Sequence, residues 1–352
     1  MEETIHAPAA LGKNIKIVVE NEPIPMKTAI KIFSVLFFLG VIISGLALLY
    51  IKNYLDSSVN LREKFIFVEK GEGVNRVASL LESEKIIDKK FLFRVILLFR
   101  TKNKPSVKYG EYLFKRDIKI REAMDILLSG KNYLRSITVA EGLTNYSILK
   151  LVAENEFLTG PMPNYPIPEG VLLPETYFFQ RDNSRESLIH TMRRDMIGFL
   201  RGEWENRAEG LPYKTMRDAL VMASIIEKET ALGDERSLVA SVFVNRLKID
   251  MPLQTDPTSI YGYAMGDAMR EGEVKTQKLI RENSPYNTYK NKGLPPTPIC
   301  NPGKDSIRAA LHPAKTEYIF FVANGEGGHV FAKDYEEHKK NIEILKKKIK
   351  KQ

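Results

Sequence analysis

The chain has 352 residues, 43% of them hydrophobic, which is enough for two compact domains with real cores. Its formal net charge of +9 is spread along the chain, and no basic run interleaved with aromatics marks a nucleic-acid module. That balance suits a polyanionic surface such as a membrane or a cell wall better. One cysteine, Cys300, excludes an internal disulfide framework and is compatible with an oxidising compartment.

Residues 1–32 are polar and irregular, with Pro8, Pro23 and Pro25 breaking any long element. Phe33 to Ile51 then runs without a charge, and as a helix those 19 residues rise about 28 Å, the thickness of a bilayer's hydrocarbon core. A buried soluble helix rarely stays apolar on every face for so long. A cleaved signal peptide wants a shorter apolar region and a small-residue cleavage site, which YIKNYLDSS does not offer. The run predicts a single membrane span. Lysines and arginines flank it evenly, so charge alone does not orient it.

After a linker over 52–64, FIFVEKGEG reads as a strand and turn, 74–85 as an amphipathic helix and 88–100 as a more buried one. A strand over 107–114 and a helix over 120–130, ended by Gly130, complete a small α+β unit. From Ser136 a strand leads to a turn at Glu141-Gly142 and a helix from Asn145. A Pro- and Gly-rich loop covers 158–170, a strand 172–179, and an amphipathic helix 187–207 carries the only tryptophan, Trp204. The C-terminal stretch EHKKNIEILKKKIKKQ reads as a Lys-rich, solvated helix. His312, His329 and His338 lack the spacing and companion ligands of a zinc site, and no P-loop, dinucleotide or G-x-S-x-G motif occurs.

The stretch that organises the rest begins at Thr215, a plausible N-cap, with no Gly or Pro before Gly233. Apolar residues at 219–223, 225 and 226 nearly encircle the axis, the pattern of a buried helix. Glu227 and Glu229 interrupt it. A carboxyl held among apolar side chains has its ionised form disfavoured, which moves its pKa toward the range a general acid needs. The competing reading is an ion pair with Arg236 or Arg246. The helical wheel does not choose between the two glutamates.

The runs ASIIEKET (223–230), ER…VASVFVNRL (235–247), LQTDPTSIYG (253–262), SPYNTY (284–289), GLPPTPICNPG (293–303) and AALHPAKTEYIFFVANGEGGHVF (309–331) resemble those of the MltG-type (YceG-like) endolytic murein transglycosylases, in the family's order. The likeness extends upstream through VEKGEGVNRVASLLESEKII, AEGLT and LLPETYFF. It implies an α+β protein with a cytoplasmic tail (1–32), one N-terminal transmembrane helix (33–51), a linker (52–64), a small LysM-like module (65–135), a mixed α/β catalytic domain (136–340) and a basic tail (341–352). It implies cleavage of the β-1,4 bond between N-acetylmuramic acid and N-acetylglucosamine in peptidoglycan, ending strands in 1,6-anhydro sugars, outside the cytoplasmic membrane and with no cofactor or metal. A penicillin-binding protein is the implied partner.

The resemblance assigns catalysis to the first glutamate of the SIIEKET run, Glu227. The expected substrate contacts are Glu229, Asn245, Arg246, Gln254, Thr255, Asp256, Tyr286, Asn287, Thr288 and Tyr289. Asp256, followed by Pro257, reads equally as a helix cap, and the tyrosines of SPYNTY as a sugar platform or a core turn. An extra residue or two between Tyr261 and SPYNTY departs from the family pattern. Two rival readings stand beside the transglycosylase: a hydrolytic muramidase, which needs two carboxylates, and a non-catalytic wall-binding scaffold.

Overall fold

The computed structural model describes residues 25–102, 107–265, 267 and 276–350. The polar tail through residue 24 and most of the stretch expected to hold extra residues after Tyr261 lie outside them. The chain divides into two units, 1–131 and 132–352.

In the first unit, α1 (Met26–Asp56) extends beyond the uncharged run at both ends. It is long and apolar enough to cross a membrane, and Tyr54 is its one buried residue. The expected linker therefore starts late. Ile51, Tyr54 and Leu55 share one helical face, and the helix continues because that face packs on the unit's core. Beyond it the Ser57 carbonyl accepts the Ile120 N–H at 3.0 Å, and Asn60 is buried with its amide on the Lys115 carbonyl.

β1 (Lys64–Val68) and β2 (Gly110–Phe114) pair antiparallel, with Ile66 opposite Tyr112. Between them run α2 (Val74–Ser83) and α3 (Lys90–Arg100), and α4 (Ile120–Ser129) follows. The core is Val68, Leu81, Phe93, Leu97, Tyr112, Phe114 and Met124. α4 stops at Gly130, whose φ of +63° is left-handed and suits a residue without a Cβ.

The second unit opens with β3 (Arg135–Thr138), which pairs antiparallel with β4 (Thr176–Phe179). α5 (Asn145–Ala153) lies between them, and α6 (Arg185–Glu205) follows, capped by Ser184. Then come α7 (Met216–Glu229), α8 (Gly233–Lys248), α9 (Asp256–Ala264) and α10 (Lys304–Leu311). The hairpin of β5 (Phe320–Ala323) and β6 (His329–Ala332) and then α11 (Tyr335–Ile349) close the unit. Helices dominate: the sheets among the described residues are separate antiparallel pairs.

α7 is the buried helix the sequence predicts. Thr215 and Asp218 form a reciprocal capping box, each side chain accepting the other's N–H at 3.1 Å. Every residue from Ala219 to Ile226 is buried, packed by α6, α8, α9 and α10. The helix ends at Glu229 and not at Gly233. Thr230 turns extended, and its hydroxyl accepts the Leu232 N–H, which starts the short corner into α8. Both glutamates thus sit in the last turn, where the buried helix meets its surroundings.

Candidate active site

Two residues apart on a helix, Glu227 and Glu229 point about 200° apart around the axis. They enter two different environments. Glu227 faces the N-terminus of α10. Its Oε2 accepts the Gly303 N–H at 2.9 Å, and its Oε1 lies 3.6 Å from Nη2 of Arg236. A backbone donor at a helix start and a guanidinium both favour the ionised carboxylate. Arg236, from α8, also faces Glu141 at 3.5 Å and Asp305 at 3.8 Å. Glu141 carries a raised pKa, from burial and then from the charge of Glu227, against the pull of Arg236.

Glu229 meets no such compensation. It accepts a hydrogen bond from the Thr255 hydroxyl. Burial pushes its carboxyl well above the usual range. The Thr255 bond pulls it back, Asp256's charge pushes it up again, and His329 and Arg246 pull it down. Burial wins. Of the two glutamates, Glu229 therefore holds a proton in the way a general acid must.

Beneath Glu229 lies a bed of threonines. Thr255 is buried, and its N–H donates to the Thr288 hydroxyl at 3.0 Å; that hydroxyl also meets Thr258 Oγ1 at 2.9 Å. Asp256 is exposed, and its Oδ1 accepts the Tyr289 hydroxyl at 2.6 Å. Thr255 takes the N-cap position of α9 and Asp256 the first turn, so the expected cap shifts by one residue and frees the Asp256 carboxylate for Tyr289. Gln254 is exposed at a φ of +52°, its N–H on the Thr288 carbonyl. Glu229, Gln254, Thr255, Asp256, Thr288 and Tyr289 are thus brought together from α7, the loop before α9 and the SPYNTY run.

The other expected contacts act as braces, with their polar atoms occupied inside the protein. Asn245 donates to the carbonyls of Thr316 and Tyr318, both at 2.9 Å. Arg246 is buried and ties Ile319 (2.6 Å) to Leu253 (2.7 Å), fixing the loop that carries Gln254 to Asp256. Asn287 is buried and holds the carbonyls of Ile280 and Glu282. Tyr286 bonds Thr297 and packs on Tyr261, with ring centroids 5.1 Å apart. The Pro-rich run is stitched to α7 by the Ile299 N–H on Ser224 Oγ at 3.0 Å, so it is a stiff wall.

Sequence reasoning missed four groups. Glu141 and Arg236 build the Glu227 cluster. Glu169 is a buried carboxyl pushed up by burial, despite accepting from the Asn145 N–H (2.7 Å) and from Tyr261 (3.1 Å). Glu235 grips His329 twice, at 2.8 Å through its backbone N–H and at 2.6 Å through Nδ1. Burial would raise the Glu235 carboxyl, and those bonds outweigh it and hold it low. Glu141, Glu235 and His329 all lie in the AEGLT, ER and GGHVF runs, which were the available signal. No group of three or more metal-ligating side chains occurs among the described residues.

The fold and site define an α+β protein whose largest core surrounds one helix, with a proton-holding carboxyl at that helix's end. The profile of the YceG-like family matches residues 66–344, and the chain belongs to that family. An endolytic murein transglycosylase of Bacillus subtilis is 33% identical, the alignment covering 85% of this chain and 90% of that one. One from Streptococcus pneumoniae is 28% identical over 78% of this chain, which spans 57% of that protein's length. A solved YceG-like protein from Listeria monocytogenes is 30% identical and aligns with 79% of this chain and 99% of its own, at a TM-score of 0.47.

Proposed function

We propose that this chain is a lytic transglycosylase of peptidoglycan glycan strands, with Glu229, and not Glu227, as its acid and base. The observation that carries the assignment is the raised proton affinity of Glu229, set beside Thr255, Asp256 and the exposed Gln254. The names of the relatives supply the substrate class. In this reading the Glu229 carboxyl gives its proton to the glycosidic oxygen as the bond to C1 of the muramic residue breaks. The carboxylate left behind takes the proton of that residue's C6 hydroxyl as its oxygen closes on C1. The nucleophile is intramolecular, so position replaces an activated water. Asp256, anchored by Tyr289, lies where its charge opposes the positive charge developing on the sugar.

Asp256 near Glu229 also gives a muramidase the second carboxylate it requires. The products decide. Digestion of purified peptidoglycan followed by mass analysis is expected to give 1,6-anhydromuramic ends, one water lighter than hydrolytic ends. Reducing ends carrying oxygen from isotope-labelled water would assign the chain to the muramidases.

α1 supports a single-pass anchor in the cytoplasmic membrane, with the units after it on the wall side. The strand–helix–helix–strand order of the first unit supports a LysM-like module. Termination of nascent strands beside a penicillin-binding protein would fit an enzyme tethered there. A C-terminal reporter that reads as cytoplasmic would overturn the orientation.

A further inference from the structure

The first unit turns an apolar face of α3 outward. Phe91 is 70% exposed and Phe99 78%, and Val95 and Leu98 are only half-buried. Positions 91, 95, 98 and 99 form one stripe, opposite the buried Phe93, Ile96 and Leu97. α3 itself carries Lys90, Arg94 and Arg100 and no acidic residue. Two phenylalanines this exposed on one helix face call for a partner.

The start of α3 is fastened to the end of α1. The Tyr54 hydroxyl donates to the Lys89 carbonyl at 3.2 Å, and Lys89 Nζ donates to the Tyr50 hydroxyl at 3.0 Å. The same ammonium lies 5.1 Å from the centroid of the Tyr50 ring and 5.7 Å from that of Tyr54. Tyr50 and Tyr54 stand where the uncharged run gives way to Lys52, the level at which tyrosines and lysines mark a membrane–water interface. The first turn of α3 is therefore held at the height of the lipid headgroups.

We propose that α3 is a membrane-surface helix. Phe91, Val95, Leu98 and Phe99 enter the interface of the leaflet from which α1 emerges, and Lys90 and Arg94 lie among lipid phosphates. An apolar face with basic residues on its flanks is the pattern of a helix lying about 5–10 Å into the headgroup boundary. The occupant is the bilayer because α1 already brings it within reach of Lys89. The inference rests on the reading of α1 as a membrane anchor.

The test uses the full chain in vesicles of phosphatidylcholine and phosphatidylglycerol, with Trp204→Phe as background and single reporters Phe91→Trp, Phe99→Trp and Val41→Trp. With acyl chains brominated near the headgroup, both α3 reporters are expected to emit to the blue and lose a large share of their emission. Bromines deep in the chains should quench Val41→Trp more than either. If Val41→Trp is quenched while both α3 reporters stay unquenched and open to acrylamide, the inference fails and the anchor stands. If none is quenched, the anchor reading fails first. Blue emission that ignores bromine and reddens on protein dilution would assign the face to a second copy of the chain and overturn the membrane contact.

Discussion

Glu227 and Glu229 leave one helix two residues apart, and their surroundings push them toward opposite roles. On the Glu227 side, the Gly303 N–H and the Arg236 guanidinium supply what an anion loses on leaving water. On the Glu229 side a threonine hydroxyl and two more distant cations supply less than burial removes. Burial of the helix is common to both. What differs is which groups the fold brings from elsewhere in the chain, and that decides which carboxyl keeps a proton.

The sharpest break is a pair of isosteric changes. Glu229→Gln is expected to cost about 10²–10⁴-fold in glycan cleavage, the usual worth of a positioned acid–base group. Glu227→Gln should keep most of the activity. Rates on purified sacculi check this, with circular dichroism to confirm folding. If Glu227→Gln were the inactive protein and Glu229→Gln the active one, the roles assigned here would be reversed.

Stability should show the opposite ranking. Glu227→Gln takes a charged partner from the largely buried Arg236 and is expected to cost about 1–3 kcal/mol in denaturant unfolding. Glu229 has a folded pKa raised above its unfolded value. Its contribution is fully favourable below the unfolded pKa and is lost as pH rises through the folded one. Glu229→Gln should therefore match or exceed the parent in stability at neutral pH, with the gap closing on acidification. A variant equally destabilised at acid and neutral pH would contradict this.

The pH–rate profile sharpens the comparison further. Cleavage needs the protonated Glu229, so kcat/KM is expected to fall as pH rises through its elevated pKa. Thr255→Val removes a bond that favours the carboxylate and should move that limb to higher pH. Asp256→Asn removes a charge that opposes ionisation and should move it lower, apart from any fall in rate. The smallest effect is expected from Glu141→Gln: it touches the Glu227 cluster alone, so the limb should not move. A shift there would mean that the two environments communicate.

Much of the frame was legible in the sequence because it rests on local patterns. The uncharged run, the Thr215 cap, the all-round apolar helix and the Gly130 stop each depend on residues within a few turns of one another, and the structure keeps them. Where local pattern met tertiary packing, the boundaries moved. α1 runs into the expected linker because Tyr54 finds a core to enter, and α7 stops at Glu229 where Thr230 turns the chain. Asn245, Arg246 and Asn287 carry side chains suited to a ligand, yet their partners are backbone carbonyls that only the fold supplies.

By itself the sequence determined that two glutamates end a buried helix and that the chain resembles a wall-cleaving family. It could not say which glutamate holds the proton. A helical wheel knows the neighbours of a residue on its own helix. The proton affinity of Glu227 and Glu229 is set by Gly303, Arg236, Thr255 and Asp256, which lie between nine and 76 positions away along the chain. Only the tertiary structure puts them within reach, because electrostatic and hydrogen-bond energies depend on distance in space and not on distance along the chain.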